Sequence, residues 1–137
     1  MSAISQARQL VRVRGIERRF AVLTLADGIA AVAVFDARLA RLKHLSNVLA
    51  VDRGPQAGSV VAASGQTVAN LLAGVLATET QRERSVILLG PLEQSLAVAD
   101  ARSRNAEDRR DRAERIAGRE AEARKTFTAM VRGMGRW

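Results

Sequence analysis

Apolar residues recur at helical spacing along nearly the whole chain, and their phase divides it into three stretches. From about Ser5 to Val51, Val13, Ile16, Phe20 and Leu23 follow a three-four-three spacing that places them in one stripe on a helix. The stripe then shifts phase to Leu25, Ile29, Val32, Leu39, Leu42 and Leu49, with Arg38, Arg41 and Lys43 on the outer face. Gly15 and Gly28 each weaken such a helix by about 1 kcal/mol relative to alanine. No cluster of turn residues interrupts it. The stop comes at Asp52-Arg53-Gly54-Pro55, where Gly suits a left-handed cap and Pro bars continuation. The spacing therefore predicts a helix over about 5–51 and a loop over 52–58, with a break near Gly54–Gly58.

Ser59 is a suitable N-cap for the second stretch, 59–89, which is rich in Ala and Val. Val61, Val68, Leu72, Val75 and Leu76 form one broad apolar face, and the small residues among them permit close approach of a second helix. The short apolar runs in Ser59–Ala63 and Ser85–Leu89 also allow a strand reading. Gly90-Pro91 either opens a new helix, with Pro91 as its first residue, or kinks one long helix by removing a backbone donor.

From Leu92 the spacing is heptad-like through Leu96, Ala99, Ser103 and Ala106. A shift by one position leads to Ala113, Ile116, Glu120, Ala123, Phe127, Met130 and Met134. A third helix is expected over about 91–132. Between Arg102 and Lys125 nearly every residue is charged or Ala, with acid four residues before base at Asp108/Arg112, Asp111/Arg115 and Glu120/Arg124, the favourable orientation. The expected fold is all-α, a long antiparallel helical hairpin or coiled coil forming a single elongated domain over residues 1–137.

Composition agrees with a narrow helix-on-helix seam. The apolar fraction is 47%, but aromatics are only 3%, so the large side chains that dominate compact cores are scarce. The formal charge of +8 favours acidic partners: nucleic acid, anionic lipid or an acidic protein face. There is no Cys, which excludes disulfides and thiolate metal sites. The first twenty residues lack the apolar core of a secretory signal, although their Arg richness has the character of a transit peptide. Phe20 to Phe35 is apolar but contains Asp27, costly at mid-bilayer. Val60 to Ala77 holds Ser64, Gln66, Thr67 and Asn70. Membrane association is therefore expected to be peripheral at most, and the location cytoplasmic.

Little in the sequence supports catalysis. His44 is the only His and lies beside Lys43, the carboxylates sit among Arg residues at helical spacing, and GPQAGS is not followed by Gly-Lys-Ser/Thr. No enzyme activity, metal or cofactor is expected. Basic clusters are the remaining candidates. Arg8, Arg12 and Arg19 share a face, with Arg14 and Arg18 nearby, as a stripe for anions or an acidic protein. The cluster from Arg102 to Arg119 is interleaved with acids and lacks stacking residues, which disfavours nucleic acid. The tail presents Phe127, Met130, Val131, Met134 and Trp137 at the end of the charged stretch. These residues either pack back near Val13 and Ile16 or form a docking tip.

The segments RVRGIERRFAVLTLADGIAAVAVFDARLARLKHL (12–45) and RDRAERIAGREAEARK (110–125), an Arg-rich helix near the start and a charged helix returning near the end, resemble the FliJ/YscO family. These are the coiled-coil stalk proteins of flagellar and type III secretion export. The resemblance implies a non-enzymatic protein in the pore of a hexameric export ATPase, coupling the ring to the membrane export gate. Its contact surface would be the tip formed by the chain ends, with Arg8, Arg12, Arg14, Arg18 and Arg19 opposite acidic ring loops. The family keeps a polar middle, whereas 59–89 is apolar here, which adds a possible self-association surface through that stretch. A self-associating structural bundle and a basic nucleic-acid-associated protein are the alternatives.

Overall fold

The computed structural model describes residues 2–51 and 58–135. Two helices account for nearly all of them: α1, Ala3–Val51, and α2, Gly58–Met134. They pack on each other as an all-α helical hairpin, with no strand among the described residues. Ser2 caps α1: the Ser5 N–H donates to Ser2 Oγ at 3.2 Å and the Gln6 N–H to the Ser2 carbonyl at 3.1 Å. The stop at Asp52-Arg53-Gly54-Pro55 lies outside the described residues. α2 is already helical at Gly58, one residue before the expected cap.

In the second half the helix expected over 59–89 holds, and the strand alternative and a separate helix over 91–132 do not. Ser59–Ala63 and Ser85–Leu89 are helical, because each continues a helical apolar pattern that a short strand could not pair. Nor does a new helix start at Gly90-Pro91, since α2 runs unbroken with Pro91 inside it. Proline in a helix interior removes one backbone bond and crowds the preceding turn. Here Leu89 and Leu92, on either side of it, are anchored against α1. A methyl group built on Gly28 would stand only 2.9 Å from Leu89 Cδ2 and 3.0 Å from Leu92 Cδ1. The missing Gly28 side chain is the space those two leucines occupy.

The hairpin falls into two compact units, Leu23–Gln94 and the pair of segments Met1–Val22 and Ser95–Trp137. In the first, Leu25, Gly28, Val32, Phe35, Leu39, Leu42, Ser46 and Leu49 of α1 turn inward. They meet Val68, Leu71, Val75, Thr78, Arg82, Ser85, Leu89 and Leu92 of α2. Antiparallel order is fixed by the ion pairs Asp36–Arg82 and Lys43–Glu79, the latter at 3.9 Å. Thr78, 4% exposed, donates to the Gly74 carbonyl at 2.7 Å, so its burial leaves no polar group unsatisfied.

The second unit pairs the start of α1 with α2 after Ser95, again antiparallel: Arg8 meets Glu114 at 3.2 Å and Arg18 meets Asp100 at 2.8 Å. Its seam is built of small residues, with Ala99, Ser103 and Ala106 buried and Ala113 and Ala117 half-buried. This overturns the stripe expected from Val13, Ile16, Phe20 and Leu23, all four of which are exposed. The inward side of α1 carries Ile4, Ala7, Val11, Arg14 and Ala21 instead. The physical reason is complementarity: an Ala/Ser face on α2 buries most contact against a face that lets the backbones approach closely. The expected shift in the heptad after Ala106 is also absent. Inward positions keep the three-four spacing through Arg110, Ala113 and Ala117, and Ile116, 55% exposed, lies at the edge of that side and not in the seam.

Candidate partner-binding surface

The five arginines singled out near the start of the chain do not act as one stripe. Arg8 and Arg18 are spent on Glu114 and Asp100 across the seam. Arg14 is half-buried and holds Glu17 on its own helix at 2.9 Å. Arg12 and Arg19, two turns apart on one face, are exposed and form no ion pair among the described residues. In this they differ from Arg8 and Arg18, which are also exposed but paired.

Downstream, the four-residue acid–base pairs at Asp108/Arg112, Asp111/Arg115 and Glu120/Arg124 are not made. Asp100 instead joins Arg104 at 2.6 Å as well as Arg18, and Asp111 takes its neighbour Arg110 at 3.2 Å. The Arg115 side chain reaches only the Asp111 carbonyl, at 3.4 Å. The i,i+4 pair that does form, Asp100 with Arg104, has the same acid-before-base orientation, so helical spacing permits such pairs without settling which of them close.

The tail does not fold back toward Val13 and Ile16. From Gly118 to Gly135 every residue is exposed, with Phe127 at 68%, Met130 at 58%, Val131 at 50% and Met134 at 70%. The antiparallel register explains this. With Arg8 opposite Glu114, α1 reaches its first described residues beside Ala117 and Glu120, and α2 continues with no neighbour among the described residues. Where the helices part, a groove of about 640 Å³ is lined by Ile4, Ala7, Leu10, Ala113, Ile116 and Ala117, together with Arg109, Arg112 and Glu120. Trp137 lies outside the described residues.

Val131, grouped with Phe127, Met130 and Met134 in the sequence, keeps the unshifted heptad: positions 120, 124, 127, 131 and 134 continue the inward side of α2.

The rest of the molecule is plainer. His44 is exposed, and the described residues contain no group of three or more His, Cys, Asp or Glu able to hold a metal ion. In the 65–89 segment Leu72, Leu76, Ile87 and Leu88 are exposed, the side on which self-association through that stretch would have to occur. By length and composition α1 is the one described helix apolar enough to cross a membrane, with none of its most apolar window buried. Comparison with family models, curated proteins and solved structures finds no match to this chain.

Proposed function

We propose that this chain is a non-enzymatic coiled-coil component of a flagellar or type III protein export apparatus. In this reading it works on the cytoplasmic side, binds a hexameric export ATPase and couples the ring to the export gate. The family resemblance of the two end segments motivates the reading, and an antiparallel hairpin is the architecture it requires. One observation carries the contact surface: Arg12 and Arg19 remain exposed and unpaired among the described residues, in the same compact unit as the bare end of α2. Acidic ring loops would find two cations there that need not break the seam to be reached.

The test is stimulation of the export ATPase by the purified chain. The double change Arg12→Glu/Arg19→Glu is expected to weaken half-maximal stimulation by about tenfold, more at low salt than at high, as reversal of exposed interface charges does. Because neither residue pairs across the seam, helix content should stay the same. Undiminished stimulation by the double variant would count against the export reading.

A further inference from the structure

Beyond Ala117 the inward side of α2 continues for several turns with none of the described residues of α1 against it, and its side chains change in kind. Opposite α1, this part of α2 offers Ala99, Ser103, Ala106, Ala113 and Ala117. Past the end of α1, the same side offers Phe127, Val131 and Met134, each at least half exposed. A lone helix of this length is marginal in water without packing on an apolar face. The larger side chains therefore sit where packing is missing.

From this we infer that the Glu120–Met134 face of α2 receives an amphipathic helix with acidic flanks from a partner protein, laid along α2 in line with α1. Three features choose this occupant. Glu120 and Glu122 stand at the start of the face, Glu122 at 3.8 Å from Lys125, but from Ala123 to Gly135 there is no acid while Arg124 and Arg132 flank the apolar residues. A second copy laid along this stretch would bring those cations together, and an acidic helix would not. The groove formed by Ile4, Leu10, Ala113 and Ile116 runs into this face and is concave, as a site for inserted side chains is. Finally, α1 occupies the same side of α2 up to Ala117. A flat bilayer lying along that side would meet the end of α1, whereas a helix of α1's own width would abut it. The inference stands on this geometry alone and does not depend on the export reading.

The probe is a fluorescently labelled synthetic peptide of three heptads, Leu at its inward positions and Glu at the flanking ones, titrated with the full chain by anisotropy. Saturable binding is expected. The triple change Phe127→Ser/Val131→Ser/Met134→Ser is expected to weaken it by at least about tenfold, as loss of apolar anchors does. Arg124→Glu/Lys125→Glu should weaken it as well. The serine variant should keep its helical circular dichroism because the three residues are exposed, and the charge variant reads the same site without touching an apolar residue. Equal binding of a control peptide with its Leu residues replaced by Ser, or an unchanged affinity of both variants, would overturn the inference. So would either of two redirected losses in the serine variant with peptide binding intact: loss of a dimer seen by sedimentation, or loss of flotation with phosphatidylglycerol vesicles.

Discussion

Replacing Pro91 by alanine is expected to stabilise the hairpin by about 2 to 3 kcal/mol, close to the full difference between these residues in a helix interior. The reason is specific to the site. α2 does not stop at Pro91, and the residue is exposed, so its ring fills no core. Alanine would restore the backbone bond to the Ile87 carbonyl and remove the clash with the preceding turn. Part of that gain is offset because proline also restricts the unfolded chain, by about 0.4 to 1 kcal/mol. Thermal unfolding followed by circular dichroism should register a rise of roughly 8 to 12 °C, at the several degrees per kcal/mol usual for domains of this size. An unchanged or lowered midpoint would mean that the helix does not run through this position.

Leu39→Ala should act in the opposite sense, costing about 2 kcal/mol. That is the low end for a large-to-small change, because a two-helix seam collapses around part of the cavity. Leu39 is 8% exposed, the best-buried leucine among the described residues, in the seam to which Leu25, Leu42, Leu71 and Leu89 also turn. The comparison that gives the number meaning is Leu23→Ala. Leu23 is 64% exposed on the opposite side of the same helix, and its loss should change stability by no more than about 0.5 kcal/mol. Urea midpoints of the two variants check the contrast. Equal effects, or a larger effect at Leu23, would place the wrong side of α1 against α2.

That contrast also separates what the residues alone revealed from what they did not. Of the expected stripe, Leu25, Val32, Leu39, Leu42 and Leu49 turn inward, where branched apolar residues stand among Arg and Lys, while Ile29, at 53% exposure, does not. The first turns gave no such contrast: the three-four-three spacing of Val13, Ile16 and Phe20 competes with an equally helical spacing of Ile4, Ala7, Val11, Arg14 and Ala21, and spacing alone does not choose between them. An alanine face is buried because it lets backbones approach, and only the matching small residues at Ala99, Ser103 and Ala106 reveal it. Pro91 left two readings open for a related reason: the local cost of proline is visible in the sequence, while Gly28, against which Leu89 and Leu92 pack to offset it, lies more than sixty positions away.

The candidate surface was legible in part. Phe127, Met130 and Met134 stood out by composition, and their exposure follows from the register that Arg8 and Glu114 set. The basic stripe was not legible as drawn, because which arginines pair across the seam depends on that register. Arg12 and Arg19 are set apart from Arg8, Arg14 and Arg18 only once the acids at Glu17, Asp100 and Glu114 are in place. The bare end of α2 is thus a consequence of where α1 begins to pair.

Because the chain has no Cys, that register can be read with paired spin labels on introduced cysteines. Labels at Arg8→Cys and Glu114→Cys should show strong dipolar broadening. Labels at Arg8→Cys and Met130→Cys should show none, since α2 climbs about 24 Å between positions 114 and 130. Broadening in the second pair and not the first would mean that α1 covers the end of α2, and the bare docking face would not exist.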